Sequence, residues 1–189
     1  MDFKFLDEEI KYDGSQLHSH FNYEHGVKGN SIVSFIGSTE VKEYLVDCED
    51  RLKNDFIKSE KMMHFIIEVF DISLREMVVL QRLFISQIVD FLKNLACLEG
   101  YKIHRSGDDI FYDSKKFSVS IATLSPVSGL IHVGLNIKVG NECPVLAADF
   151  NDLLEAGYDM QTVATFIMEH FVSEFESIQN ACYKVKGVQ

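Results

Sequence analysis

Two stretches late in the chain alternate between apolar and small polar residues at period two. Phe117, Val119 and Ile121 share one face of an expected strand, and Lys116, Ser118, Ser120 and Ala122 share the other. Ile131, Val133, Leu135 and Ile137 then alternate with His132, Gly134 and Asn136. Residues 104–140 therefore predict three consecutive strands with one fully apolar face. The opposite face carries hydroxyls, a glycine, an imidazole and an amide. Such a face is either open to solvent or the floor of a pocket, and small side chains leave room for a ligand.

Upstream, residues 3–6 predict a short strand. Asp13-Gly14 marks a turn, with Ser15 placed to cap a helix over 16–25 that turns Leu17 and Phe21 inward. Residues 31–36 predict a strand ended by Gly37, residues 41–47 a second strand, and 64–70 a third, strongly apolar one. Ser73 and Glu76 form a capping box that opens a long helix. Its stripe of Met77, Leu80, Phe84, Ile88, Phe91 and Leu95 should pack on the apolar face of the sheet, and Glu99-Gly100 should end it. Beyond the strands, 147–156 predict a short helix stopped by Gly157. A final helix over 159–183 turns Val163, Ile167, Phe171, Phe175, Ile178 and Cys182 inward. This order predicts an α+β domain with helices against one face of a mostly antiparallel sheet.

Composition narrows the class. With 189 residues, 47% of them apolar, and only two prolines, the chain reads as one domain, 1–189, with a substantial core. A net charge of −11 argues against a dedicated nucleic-acid surface. No apolar run reaches the roughly 18 residues that a membrane span needs. Cys48, Cys97, Cys143 and Cys182 lie far apart without a CxxC pair, and no signal peptide is recognisable. Reduced thiols in a cytoplasmic protein are the expectation.

Metal chemistry finds little support. His18, His20 and His25 have neither the i,i+3 nor the i,i+4 spacing of helical ligands. The acidic run Asp47, Glu49 and Asp50, followed by Arg51, Lys53 and Asp55, is either a solvated connection or a place for a divalent cation.

Residues 105–138 resemble the catalytic core of the biotin and lipoate protein ligases. Those families carry an Asn-Asp-hydrophobic motif, a lysine on the next strand and a hydrophobic-Gly-x-Asn strand. The corresponding pieces here are Arg105-Ser106-Gly107-Asp108-Asp109-Ile110, Lys115-Lys116-Phe117-Ser118 and Val133-Gly134-Leu135-Asn136-Ile137. The resemblance implies Lys116 as the essential lysine, neutralising charge at a reacting carboxylate and phosphate. Arg105 stands for the basic residue before the motif, Asp109 for the family aspartate and Asn136 for the strand asparagine. Ser118, Ser120, His132 and Gly134 would line the same cavity. The whole chain also resembles a family of uncharacterised archaeal and bacterial proteins known only as a domain of unknown function, through YDGSQL, MMHFIIEVF, the RSGDDI–SVSIAT block and the closing KVKGV.

Three departures qualify what the ligase resemblance implies. Asp108 replaces the family asparagine, and Val119 stands where a glycine follows the lysine. The segment 47–63 contains no glycine, so it lacks the Gly-rich loop that covers the nucleotide. Three functions follow as expectations. The first is a ligase or acyltransferase acting on a small-molecule carboxylate at Lys116, with ATP and Mg as cofactors if adenylation is retained. The second is a non-catalytic small-molecule or nucleotide-binding module, and the third a purely structural or interaction protein, for example a homodimer paired through sheet edges.

Overall fold

The computed structural model describes residues 1–95, 100–150 and 154–188. Its elements run β1 (Asp2–Phe5), α1 (Phe21–Glu24), β2 (Ser31–Val41), α2 (Cys48–Lys53), β3 (Ile57–Phe70) and α3 (Leu74–Lys93). They continue with β4 (Ile103–Ser106), β5 (Asp109–Tyr112), β6 (Lys115–Lys116), β7 (Ser118–Leu124), β8 (Ser128–Lys138) and α4 (Met160–Tyr183). A five-stranded sheet has the order β1-β2-β3-β8-β7, and β4-β5-β6 form a smaller one. Only the β1–β2 pairing is parallel among those strand pairs. The expected α+β class and mostly antiparallel sheet are what the chain adopts.

The central strand, β3, shows how both faces of the sheet become buried. Met63, Phe65, Ile67 and Val69 join Phe84, Ile88, Ile167 and Phe171 in the core under α3 and α4. Ile66 turns the other way, into a second core with Leu6, Tyr12, Phe21, Val33, Phe35 and Leu45. That second core exists because the N-terminal segment folds back over the sheet.

The long helices match their patterns. Ser73 accepts from the Glu76 backbone N–H while the Glu76 carboxylate receives the Ser73 N–H, so the expected capping box opens α3. Met77, Leu80, Phe84 and Ile88 are buried along it, as is Leu95 beyond its end. Lys93 is its last residue, with Asn94 capping, so α3 stops short of the expected Glu99-Gly100. Cys97 and Glu99 lie outside the described residues. In α4 the stripe from Val163 to Phe175 is buried, but Cys182 is exposed because the helix outruns the core.

Four local expectations are corrected. The helix over 16–25 shrinks to α1, because the Ser15 N–H and hydroxyl are both taken by Asp13 Oδ1 in a turn. His20 then sits in the left-handed region at φ 70°, its N–H donating to the buried Glu68 carboxylate. Gly37 does not end a strand: β2 passes through it to Val41. A Cβ there would lie 1.8 Å from the Ile10 carbonyl oxygen, so glycine is what lets the N-terminal segment run alongside β2.

Residues 42–47, beyond the end of β2 at Val41, are not a strand either. Val41 and Leu45 fill the second core, and Asp47 caps α2 by accepting from the Glu49 and Asp50 N–H groups. Finally, residues 147–150 are not helical. The Lys116 N–H donates to Leu146 and the Ala148 N–H to Lys116, tying this segment to β6 as a further extended partner. Residues 151–153 of that expected helix lie outside the described ones.

Candidate functional site

Pairing between β7 and β8 decides which side chains can meet. Val119 opposes Gly134 and Ile121 opposes His132, so these four share the face turned away from α3 and α4. Ser118 opposes Leu135 and Ser120 opposes Val133, on the helix-facing side. The two polar rows seen in the sequence therefore lie on opposite faces, and the structure does not bring all their members into one cavity. Alternation identifies the faces within each strand, whereas register between strands is a separate fact.

On the helix side, the polar residues form a clamp. The Ser120 hydroxyl accepts from Gln81 Nε2 at 2.8 Å and lies 3.2 Å from Asp108 Oδ2. Asp108 also receives Arg82 Nη1 at 3.1 Å and Gln81 Nε2 at 3.1 Å. The Ser118 hydroxyl accepts the Ile110 N–H at 2.8 Å. Arg105 donates to the Gly107 carbonyl within its own hairpin. These contacts fasten the β4–β5 turn to α3 and β7.

Lys116 faces the other way. Its Nζ lies 3.0 Å from Asp109 Oδ2 and it lines a cavity of about 220 Å³. Burial pushes the Asp109 carboxyl above its usual range, the Lys116 charge opposes that rise, and Asp108 adds to it. Met62, Phe56, Ile57, Val119 and Val145 give the cavity apolar walls, with Asn136 and Cys143 also on its lining and Ser118 touching it. Asn136 acts as a backbone tie: its Nδ2 donates to the Ala148 carbonyl at 3.1 Å and approaches that of Lys116 at 3.4 Å. Gly134 leaves less room than its size suggests, because Met62 Cε would lie 2.8 Å from a Cβ there.

A second cavity of about 70 Å³ adjoins the first, and Asp50, Ile57 and Val119 line both. Its floor holds His132, under the ring of Tyr12 at a centroid distance of 3.8 Å and an interplanar angle of 12°. His132 Nε2 and His64 Nδ1 share a hydrogen bond of 3.0 Å, and Thr39 Oγ1 lies 3.2 Å from His64 Nε2. Thus His132 and Asn136 are buried rather than open to solvent. Sequence patterns do not single out Tyr12, Met62 or His64, and they place Asp50 only within an acidic run. His64 begins an apolar stretch that also carries Glu68, and a polar residue in such a strand is the available signal. A larger cavity, about 340 Å³, lies on the opposite side of the sheet between α3 and α4, against Phe91, Phe166 and His170.

The histidine pair carries a pH prediction. Burial lowers the His64 pKa to about 3, and burial followed by the His64 charge drives His132 well below its ordinary value. In the unfolded chain both take up protons as pH falls through about 6.5, while the folded chain does not. Their contribution to stability is complete above that pH and is lost as pH falls toward the folded values, at up to ~1.4 kcal/mol per histidine per pH unit. Urea unfolding should give a lower free energy at pH 5 than at pH 7. A His64→Asn, His132→Asn double variant should show a shallower slope.

Several solved structures share this architecture. One is a protein of unknown function from Pyrococcus horikoshi, 36% identical, covering 100% of this chain and 99% of its own, with a TM-score of 0.88. A mutant biotin protein ligase from Aquifex aeolicus in complex with biotin aligns with a TM-score of 0.58 at 12% identity, covering 95% of this chain and 72% of its own. A biotin protein ligase from Leishmania major in complex with biotin gives 0.56 at 16% identity, with 89% and 72% covered. At such identities these two ligases establish the fold alone. The chain therefore has the α+β architecture of the biotin and lipoate ligase catalytic domains. It belongs to the family described as a domain of unknown function, DUF366, which matches residues 1–186. An uncharacterised protein of Methanocaldococcus jannaschii is 30% identical over 182 residues, 93% of this chain and 80% of that one. Among the described residues, no helix is long and apolar enough to cross a membrane.

Proposed function

We propose that this protein binds a small-molecule carboxylate in the cavity over β3, β7 and β8, with the Lys116 ammonium as its counter-ion. The observation that carries this reading is one side chain: Lys116 lines a partly enclosed, largely apolar cavity. A carboxylate there would share Nζ with Asp109, while its acyl part would rest against Met62, Val119 and Ile57. Within the ligase fold, this arrangement suits an enzyme that forms or transfers an activated acyl group. Lys116 would neutralise charge that builds at the carboxyl carbon's oxygens, and at phosphorus if ATP with Mg is used. Arg105, Asp108, Ser118 and Ser120 would support the site by holding the neighbouring hairpin, and His132, Gly134 and Asn136 by forming its floor.

A second reading, binding without adenylation, is favoured by α2. Where a Gly-rich nucleotide cradle would be expected, the chain places a helix whose Asp50, together with Asp55, lines the cavity. Carboxylates in that position repel phosphate.

Thermal denaturation with octanoate, lipoate or biotin, with and without ATP and Mg, separates the readings. A ligand at 100 times its Kd should stabilise by about 2.7 kcal/mol. That corresponds to a rise of roughly 5–10 °C for a domain of this size. Pyrophosphate release with the same ligand would identify an adenylating enzyme, and a shift without release would exclude adenylation and leave a binding module or a transferase of ready-activated acyl groups. No shift with any carboxylate and no release would defeat both.

A further inference from the structure

The cavity lined by Lys116 and the smaller one above His132 share Asp50, Ile57 and Val119 in their linings. Beneath them on β8, Asn136 and His132 are four residues apart, ~13 Å at the rise of an extended strand. The far end is not a plain hydrocarbon pocket. Tyr12 is only 3% exposed, yet its hydroxyl makes no hydrogen bond among the described residues, and the residue lines the smaller cavity. That hydroxyl is not among the fully buried polar atoms without a partner, so solvent reaches it, and a ligand that displaces this solvent loses affinity unless it replaces the hydrogen bond. Asp50, which lines both cavities, makes no hydrogen bond or ion pair through its carboxylate among the described residues; its backbone N–H donates to Asp47 and its carbonyl accepts from the Asp55 N–H. Burial, together with the charges of Asp47 and Asp55, raises its pKa, and Lys53 and Lys116 only partly offset this. Both groups can accept a proton donor, and Asp50 favours a cationic one.

Building on the carboxylate reading, we propose that the acid held at Lys116 carries a hydrogen-bond donor at its far end, an amine in preference to a hydroxyl, received by Asp50 and Tyr12. The imidazoles of His132 and His64 set the position of the Tyr12 ring through the stack and the hydrogen bond between them. A ligand of this class is dipolar, with its carboxylate at the lysine and its donor at the acid. The arrangement selects against simple fatty acids, whose methyl end would leave Tyr12 and Asp50 unpartnered in an enclosed space.

Calorimetric titration with octanoate, ω-hydroxyoctanoate and ω-aminooctanoate tests the assignment. The amino acid should bind at least roughly tenfold tighter than octanoate, with the hydroxy acid between them, as one recovered hydrogen bond of about 1.4 kcal/mol requires. Asp50→Asn and Tyr12→Phe should each narrow that gap, and the second keeps the ring stack, so the fold is not at issue. Equal affinities for all three ligands, or a gap that survives in both variants, would overturn the donor assignment while leaving the carboxylate reading intact. If none of the three binds to the folded wild-type protein, the carboxylate reading fails and this assignment with it.

Discussion

Gly37→Ala is expected to destabilise the protein by at least ~3 kcal/mol and lower its melting temperature by roughly 6–12 °C. The added methyl would lie 1.8 Å from the Ile10 carbonyl oxygen and 2.6 Å from its carbon. Both are backbone atoms, so no rotamer change can relieve the contact. The Ile10 segment would have to separate from β2, breaking the bonds from the Ile10 N–H to Ile36, from the Tyr12 N–H to Ser38 and from the Glu40 N–H to Tyr12. Tyr12 would move with it and uncover the histidine pair. Gly187→Ala, where nothing lies within 4 Å of the new methyl, is the control and should leave the melting temperature unchanged. Differential scanning calorimetry of the two variants decides the point.

Lys116→Ala should weaken binding of any carboxylate ligand by roughly 10- to 100-fold, the ~1.5–3 kcal/mol expected for a hydrogen bond to a charged group. Stability should change little, because the ion pair with Asp109 is partly solvent-exposed on both sides. Lys115→Ala serves as the comparison. Lys115, on β6, pairs with Tyr112 of β5 and is exposed, so its loss should leave affinity as it was. Equal losses in the two variants would mean that net charge, and not the Lys116 side chain itself, attracts the ligand.

The parts of this fold that could be read from the sequence are those whose signals are local. The Ser73–Glu76 box and the stripe from Met77 to Leu95 specify α3 within a few turns, and Asp159 with Val163 to Phe175 does the same for α4. Alternation alone puts Lys116 on a face with Ser118 and Ser120, and the likeness of residues 105–138 to the ligase motifs is what marks it as a candidate site residue. What escaped was set by contacts distant in sequence. Gly37 looks like a strand end because the carbonyl it accommodates belongs to Ile10. Ser118 and Ser120 look like neighbours of His132 and Gly134 because period-two patterns fix faces and leave register open. Tyr12 gives no pattern and His64 only a polar interruption of an apolar strand, since they meet His132 only after three separate segments assemble. Asp50 reads as part of a surface acidic run, and its place in the lining of two cavities follows from how α2 lies against the sheet.

The central claim is that a carboxylate is held at Lys116, on the sheet face away from α3 and α4. A crystal structure of the protein grown with ω-aminooctanoate tests it most directly. The carboxylate should lie within hydrogen-bonding distance of Lys116 Nζ, with the chain running past Val119 toward Tyr12. A ligand seated between α3 and α4 against Phe91 and Phe166, with the Lys116 cavity holding solvent only, would contradict it.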